Sequence, residues 1–170
     1  MTMTALEMIT HAASQLGPFF VLTVGLCFFL GLYYAADSVF LLWKTSKDPR
    51  IHKNRILITA AVGACLMALP VFTFHMVGTF FTHGQPSPLA YAGPGGQKMV
   101  LAVEGIENFI QLIGWIAIAR GLVILKRVGD GTTQETSDKG FVHIIGGAMA
   151  ANVVGGAILF AHTFGLTLPI

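Results

Sequence analysis

The sequence predicts an all-α membrane protein, a bundle of four transmembrane helices with both chain ends on the outer side. Three observations support this prediction. Of the 170 residues, 54% are hydrophobic and 11% are charged, whereas a soluble domain carries about 25% charged residues. The apolar residues form four long runs, and the basic residues are concentrated in two of the connecting loops. Because such a chain cannot cover itself with a hydrated surface, the bilayer is its expected solvent.

The four apolar runs are the predicted membrane spans. They cover approximately residues 18–43, 56–81, 100–125 and 141–166. Each run exceeds the roughly 20 residues that a helix needs to cross the hydrocarbon. Pro70 interrupts the second run. With short polar loops between the spans, residues 1–170 are expected to form a single membrane domain, and no internal duplication is predicted.

The distribution of lysine and arginine predicts the orientation. One basic loop follows span one and a second follows span three, whereas the segment before span one contains no basic residue. By the positive-inside rule, both loops face the cytoplasm and both termini face the periplasm of a bacterial inner membrane. The first loop is expected to contact membrane lipid rather than a specific nucleic acid, because this cation density is ordinary for a cytoplasmic loop. Its five cations are Lys44, Lys47, Arg50, Lys53 and Arg55.

Span three contains charged residues at both ends. Glu104 and Glu107 lie near its outer end and Arg120 near its inner end. Because a helix rises 1.5 Å per residue, Glu104 and Arg120 are about 24 Å apart along the axis. Arg120 also projects from the opposite side of the helix, so it cannot neutralise these glutamates. Asp37 and Arg120 each precede a basic loop by six or seven residues, which predicts an ion pair between them.

A polar cluster is predicted near the outer face. His75 in span two and His162 in span four are expected near the depth of Glu104 and Glu107. Hydrogen bonds within the cluster, or contacts with a neighbouring protein, are the favoured interpretation. A divalent metal site and a proton or ion path are the alternatives. No ligand pair such as H-x-x-x-H or E-x-x-H is present, so we predict no metal and no cofactor.

Small residues dominate one part of span four. Gly147, Ala151 and Gly155 follow one another at four-residue spacing, and Asn152 and Gly156 lie on an adjoining stripe. Small residues at this spacing allow another helix to approach closely, and an asparagine can donate a hydrogen bond across such a contact. We interpret these residues as a helix-packing stripe, one side of which could contact another subunit.

Motifs of common enzymes are missing from the sequence. No G-x-S-x-G nucleophile elbow, phosphate-binding loop or dinucleotide glycine fingerprint occurs. The predicted loops are also too short to hold an active site. We therefore expect a protein that is not an enzyme.

Spans three and four resemble a known family. The segment "FIQLIGWIAIARGLVILKR", a polar loop with Gly and Thr, "DKGFVHIIGGAMAANVVG" and "HTFG" are similar to the IcmC/DotE family. These are small inner-membrane proteins of type IVB secretion systems, and the TraQ proteins of IncI-type conjugative plasmids are similar to them. The resemblance covers roughly residues 98–165. It rests on Arg120, Gly121, Lys139, Gly140, His143, Gly146, Gly147, Asn152 and Gly155.

The resemblance implies a component of a secretion or conjugation apparatus that has no catalytic residues of its own. Such a component contacts other secretion subunits and copies of itself. Two alternatives remain open: a small transporter or ion-conducting subunit that uses Glu107 and the outer-face histidines, and a metal-binding membrane protein that uses the same cluster. The pair Glu104 and Glu107 is not assigned a role by the resemblance.

Overall fold

A computed structural model of the chain describes residues 5–47, 53–81 and 96–164, and these ranges contain helices and no strand. The prediction of an all-α fold is therefore confirmed for the described residues. Seven helices follow one another there: α1 (Ala5–Ser14), α2 (Leu16–Thr45), α3 (Lys53–Met67), α4 (Leu69–Phe80), α5 (Gly96–Gly129), α6 (Ser137–Ala151) and α7 (Val153–Thr163).

Two of these helices are long and apolar enough to cross a membrane alone. α2 has 30 residues and α5 has 34, which corresponds to about 45 Å and about 51 Å. Either length exceeds the roughly 30 Å of a bilayer's hydrocarbon. Neither helix contains a proline beyond its first turn, so nothing in the sequence interrupts the backbone hydrogen bonds.

The second apolar run is not one helix, because it breaks at Ala68. The axes of α3 and α4 differ by 95°. Pro70, in the first turn of α4, lacks the N–H group that would bond the carbonyl of Leu66 in a continuous helix. The first turn tolerates proline, since its N–H groups have no partner within the helix. The run therefore becomes two helices of 15 and 12 residues.

The fourth apolar run breaks at Asn152, where the axes of α6 and α7 differ by 107°. The backbone of Asn152 leaves the helical region, with φ −126° and ψ 78°. The second and fourth predicted spans are therefore each divided into two helices. The described residues contain two helices that can span a membrane, or up to four spans if each bent pair crosses once. The predicted end of the fourth run, residue 166, lies outside the described residues.

The first hairpin, formed by α2 and α3, is held by contact between two backbones. A Cβ atom added to Gly31 would lie 2.7 Å from the carbonyl oxygen of Gly63 and 2.6 Å from the amide nitrogen of Met67. A Cβ atom on Gly63 would lie 3.0 Å from the amide nitrogen of Ala35. Because nothing larger than hydrogen fits at Gly31, the two antiparallel helices approach each other more closely than side chains allow.

The second hairpin, formed by α5 and α6, repeats this contact over a greater length. A Cβ atom on Gly114 would lie 2.6 Å from the carbonyl oxygen of Gly147. Two turns further along α5, a Cβ atom on Gly121 would lie 2.7 Å from the carbonyl oxygen of Gly140. The buried residues of α6 include Gly140, Ile144, Gly147 and Ala151. Their alternating spacing of four and three residues is typical of a seam between two helices.

One apolar core joins the two hairpins. Leu66 and Leu69, on either side of the break at Ala68, have 0% exposure, as does Ile118 of α5. They belong to one cluster with Leu122. The first break is therefore buried among helices of both hairpins.

The outward surface of α2 is apolar. Val21, Leu26, Phe29 and Val39 each expose more than 60% of their surface. Exposed apolar patches of this kind mark contacts with lipid or with other proteins. Both the core and the outward face of α2 are therefore apolar, and the buried polar residues of the described ranges include Ser38, Thr59, Thr73 and Asn152.

Candidate functional site

A network of charged side chains lies where α2 and α5 end. The ammonium of Lys126 lies 2.6 Å from a carboxylate oxygen of Asp130 and 3.5 Å from one of Asp37. It also lies 4.8 Å from the ring centroid of Tyr34, within the range of a cation–π interaction. The Nε atom of Arg55 donates a hydrogen bond of 3.0 Å to the other oxygen of Asp130. We call Asp37, Arg55, Lys126 and Asp130 the polar network.

The polar network joins the two hairpins. Asp37 belongs to α2 and Arg55 to α3. Lys126 belongs to α5, and Asp130 is the first residue after the end of α5. The side chain of Asp130 is 5% exposed and that of Lys126 is 13% exposed. At this depth, removal of one partner leaves a poorly solvated charge, which is destabilising. The network therefore fixes the relative position of α2, α3 and α5.

The predicted partner of Asp37 is corrected from Arg120 to Lys126. Among the ion pairs formed by described residues, Asp37 is joined to Lys126 and not to Arg120. The prediction assumed that α2 and α5 end at the same level. In the structure α2 continues eight residues beyond Asp37, to Thr45, whereas α5 continues three residues beyond Lys126, to Gly129. Because the helices end at different levels, Asp37 lies beside Lys126 and not beside Arg120. Lys126 is six residues after Arg120 on α5, so the two side chains also point in directions that differ by about 120°.

Arg120 is exposed on α5, and its charge contributes a minor part of the positive potential at the loop between α5 and α6. Lys139 donates a hydrogen bond to the carboxylate of Glu135 one turn away, and this contact lowers the pKa of the Glu135 carboxyl below its ordinary value. The charges of Arg127 and Arg120 lower the same pKa further. Because both partners of the Glu135 pair are partly exposed, its contribution to stability is small.

The predicted basic loop is only partly in the described range, since Arg50 lies outside it. Lys44, Lys47 and Lys53 are exposed. Arg55 turns inward and joins the polar network through Asp130. The sequence placed all five cations in one loop, whereas in the structure Arg55 is part of α3 and pairs with Asp130 although its side chain is still 38% exposed.

The predicted outer polar cluster is only partly described. Glu104 and His75 are exposed and Glu107 is half-buried. The side chain of His162 lies outside the described part. Among the described histidines, cysteines and acids, no group of three is close enough to hold a metal ion. The four-residue cluster therefore stays a prediction.

The helix-packing stripe of α6 is occupied by the chain itself. Gly147 and Ala151 face Gly114 of α5. Gly156, on the adjoining stripe, is buried, and its Cβ position lies 3.1 Å from the carbonyl oxygen of Met149. A subunit contact, where the chain forms one, therefore uses a surface other than this stripe.

Asn152 has a role that the sequence analysis missed. We predicted that its amide bonds a neighbouring helix, but its Oδ1 accepts a hydrogen bond of 3.1 Å from the N–H group of Gly155. Asn152 is 3% exposed, and it caps the start of α7 in the way that an N-cap residue does. A Cβ atom on Gly155 would lie 2.6 Å from the Asn152 amide nitrogen. No local signal marks this cap, because the order N-V-V-G is equally compatible with a continuous helix.

The arrangement can hold helices together and can position a bend, and neither action requires a reaction centre. The residues quoted for the family resemblance include Gly121, Gly140, Gly147, Asn152 and Gly155, and each is a packing or capping position in the second hairpin and its break. In comparisons with known proteins, no family model, no curated protein and no solved structure matches the chain.

Proposed function

We propose that this protein is a non-enzymatic structural subunit of a type IV secretion apparatus, of the type IVB or conjugative kind. It lies in the bacterial inner membrane as a four-pass protein, and both termini face the periplasm. The bent pairs α3–α4 and α6–α7 each account for one crossing. The protein packs against other membrane subunits of the apparatus and against copies of itself.

The observation that carries the proposal is the position of the resembling residues. The backbones of α5 and α6 are in close contact where Gly121 meets Gly140, and again where Gly114 meets Gly147. Asn152 caps α7 beside Gly155. A segment that resembles a family of secretion-apparatus proteins therefore builds a stiff helical hairpin with a fixed bend. Such a hairpin suits a subunit whose task is to hold its neighbours in register.

The exposed face of α2 is the surface proposed for neighbouring subunits. Phe29 exposes 69% of its surface, whereas Tyr34, on the same helix, exposes 8%. The small residues Gly147 and Ala151 of α6 are already in contact with α5, whereas α2 keeps a broad apolar face exposed. Lipid occupies whatever part of this face the neighbouring subunits leave open.

Photo-crosslinking in the native host tests the proposal. Benzoylphenylalanine is placed at Phe29 or, as a matched aromatic control on the same helix, at Tyr34. We expect the Phe29 variant to form crosslinks with other subunits of the secretion apparatus, and the Tyr34 variant to crosslink within the chain. Deletion of the gene is expected to abolish conjugation or secretion. A deletion strain with undiminished transfer, together with a Phe29 variant that captures no secretion subunit, contradicts the proposal.

A second candidate function is that of a small transporter subunit. The observation in its favour is the presence of two sharply broken helices, since transporters build their substrate sites from broken helices within the membrane. In this function Glu107 and the outer-face histidines carry the coupled proton or ion. Uptake into vesicles that is lost in both Glu107→Gln and His75→Ala, with conjugation unaffected by gene deletion, would favour it over the structural function.

A further inference from the structure

A groove of about 600 Å³ lies between α3 and α6, over α5. In the described ranges, no Cα atom of α3 lies within 8 Å of one of α6, although both helices pack on α5. Val62, Leu122 and Ile144 form the deep surface of the groove, and the exposed residues Ala61 and Phe141 form its two rims. Because the rims are exposed, an occupant can enter from the side of the protein.

The groove is about as deep as one leaflet of a membrane. Its walls lie within residues 58–65 of α3, 122–129 of α5 and 137–144 of α6. Each of these stretches rises about 10 Å, compared with about 15 Å for half of a bilayer's hydrocarbon. The axis of α4 differs from that of α3 by 95°, and its residues Phe72 and Met76, one turn apart, close the far end of the groove.

The other end of the groove lies beside the loop between α5 and α6. Gly129 and Ser137 line this end, on either side of the loop. Near it, each of the three helices carries an exposed cation. These cations are Lys53, Arg127 and Lys139. Among the described acids of this region, Asp138 is exposed and Glu135 is paired with Lys139. The exposed charge at the loop end is therefore positive, which attracts the phosphate group of a lipid.

The chemistry of the walls favours a hydrocarbon occupant. Among the described residues that line the groove, Ser137 carries the one hydroxyl, and the other side chains end in hydrocarbon, thioether or thiol groups. A bound water needs two to four polar partners, so this groove does not hold water stably. A charged group buried there would lack a counter-charge, which is costly.

The shape of the groove argues against a transmembrane helix of another protein. A spanning helix is about 10–12 Å wide with its side chains and needs roughly 20 residues to cross the hydrocarbon. Such a helix runs through the whole membrane, whereas Phe72 and Met76 close the groove after one leaflet. It can therefore rest on the rims but cannot enter. An acyl chain is narrower and itself ends near the middle of the bilayer.

We propose that this groove binds one acyl chain of a phospholipid from the leaflet that adjoins the loop between α5 and α6. The chain lies over Leu122 and Ile144 and ends against Phe72 and Met76, and the phosphate lies among the exposed cations of the loop end. Contact with three helices gives this chain more dispersion contacts than a lipid on the outer surface has, so it is held more tightly. The site requires a membrane, and it does not depend on the proposed role in secretion, because this chain alone forms it.

Photo-crosslinking with a lipid probe in nanodiscs tests the proposal. The full chain is reconstituted without other proteins and with phosphatidylglycerol that carries a diazirine at the end of one acyl chain. It is then washed with detergent, illuminated and mapped by mass spectrometry. We expect label at Phe72 and Met76. Phe29 of α2, which is 69% exposed, should lose its label, because the lipid there is exchangeable. A diazirine next to the glycerol should label the loop end, near Ile58 and Ser137.

A substitution on the rim tests the groove itself. Ala61→Trp places an indole in its mouth, and we expect the label at Met76 to fall about tenfold, equivalent to about 1.4 kcal/mol. Ala64→Trp is the matched control, since Ala64 is exposed on the same helix and lies outside the lining of the groove. It should leave the label at Met76 unchanged.

A probe without phosphate tests the position of the head group. Diacylglycerol with the same diazirine-bearing chain has no charge to place among the cations of the loop end. We expect it to label Met76 less than the phospholipid does after the same washing. Equal labelling would overturn the placement of the phosphate.

Two further results would overturn the binding of the chain. In one, Phe29 and Met76 lose their label together on washing, which means that the groove holds no lipid of its own. In the other, benzoylphenylalanine at Phe141 captures a protein in native membranes while the groove takes up no lipid label there. If Ala61→Trp does not fold, the order of labelling with depth in the parent chain decides. Because the nanodiscs contain no secretion subunit, failure here leaves the proposed function to its own test.

Discussion

The two halves of the molecule have the same plan and differ in the chemistry that maintains it. Each half has a long helix of 30 or 34 residues, then a helix of 15 residues, a sharp break, and a short helix of 12 or 11 residues. The bends are 95° and 107°. Each long helix meets its 15-residue partner through a glycine backbone contact. This repetition was not predicted from the sequence, because the residues that build each half are different.

The difference is clearest at the breaks. In the first half, Pro70 forbids a continuous helix by removing a donor. Described residues 96–164 contain no proline, and the Asn152 side chain instead accepts a hydrogen bond from the N–H group of Gly155. One break is imposed by a missing hydrogen bond and the other is stabilised by an added one. A sharp bend can therefore arise when a backbone hydrogen bond is lost, or when a side chain supplies an additional one.

The hairpins differ in the number of close contacts. The first hairpin has one tight backbone crossing, at Gly31, whereas the second has two, at Gly114 with Gly147 and at Gly121 with Gly140. A longer line of backbone contact gives more dispersion contacts and allows less sliding. We infer that the second hairpin is the rigid half, and that the first is fixed to it by the shared core and the polar network.

The largest effect is expected when a side chain is introduced at a glycine of the second hairpin. A Cβ atom on Gly147 would lie 2.7 Å from the carbonyl oxygen of Gly114 and 2.9 Å from the amide nitrogen of Ile118. Backbone atoms cannot move aside cheaply, so Gly147→Leu is expected to destabilise the fold by about 3 kcal/mol and to lower the amount of protein in membranes. The measurement is thermal unfolding in detergent.

The neighbouring glycine is a matched control for that substitution. Gly146 is exposed and has no atom within 4 Å of its Cβ position. Gly146→Leu is therefore expected to leave the melting temperature close to that of the parent. If both leucine variants melt alike, the close contact does not hold the second hairpin together.

The next largest effect is expected at the polar network, where the two halves meet. Asp130→Asn keeps the shape of the side chain but removes the charge that Arg55 and Lys126 share. We expect a loss of about 1–3 kcal/mol, the cost of poorly paired buried polar groups. The exposed Asp138, in the first turn of α6, is the control, and Asp138→Asn should change stability by a few tenths of a kcal/mol at most.

A disulfide reporter shows where this loss occurs. A Cβ atom on Gly129 would lie 3.2 Å from the Cβ atom of Ile58, close to the separation of a disulfide. Cysteines at these two positions, with Cys27 and Cys65 changed to alanine, should oxidise readily in the parent. Oxidation should slow with Asp130→Asn if the network fixes the first hairpin against the second. An unchanged rate would mean that the apolar core suffices.

These contacts show which parts of the structure the sequence could predict. The four apolar runs and their helical character follow from composition and run length, because transfer into lipid is a local property of each segment. The partner of Asp37 could not be read in the same way. It depends on how far α2 and α5 extend beyond their last apolar turns, which is set by packing between the helices.

The second break was also beyond the sequence analysis, although its residues had been singled out. The positions of Asn152 and Gly155 in the sequence are compatible with a helix-packing stripe. They are equally compatible with an N-cap residue at the start of a new helix. The two interpretations differ only in whether the backbone at Asn152 is helical. A local pattern cannot settle that, because the bend is supported by distant residues such as Phe81, whose ring lies 2.9 Å from the Cβ position of Gly155.

A smaller effect is expected when the cap at the second break is removed. Asn152→Ala loses the acceptor for the Gly155 N–H group and should cost about 1 kcal/mol. Spin labels at Val142 and Thr163, both exposed, measure the bend. The bend of 107° places them about 19 Å apart and a continuous helix about 31 Å apart, at 1.5 Å of rise per residue. We expect a wider distance distribution that extends toward the larger value.

Asn108→Ala serves as the control for the cap variant, because Asn108 is exposed on α5. Its distance distribution should match that of the parent. A narrow, unshifted distribution in Asn152→Ala would show that packing alone holds the second bend, and the two breaks would then differ less than their sequences do.

The smallest effect is expected from acid, at the loop of the second hairpin. Lys139 lowers the pKa of the Glu135 carboxyl below its ordinary value of 4.5. A carboxyl whose pKa is lower in the folded state contributes stability that is fully present above the pKa of the unfolded chain and is lost as pH falls through the folded pKa. Amide protection at the start of α6 should thus be flat above pH 4.5 and decline below it. Glu135→Gln should remove most of this decline and leave amide protection in α3 unchanged. If protection declines equally in both hairpins, the acid-sensitive group is not Glu135 but lies in the polar network that the hairpins share.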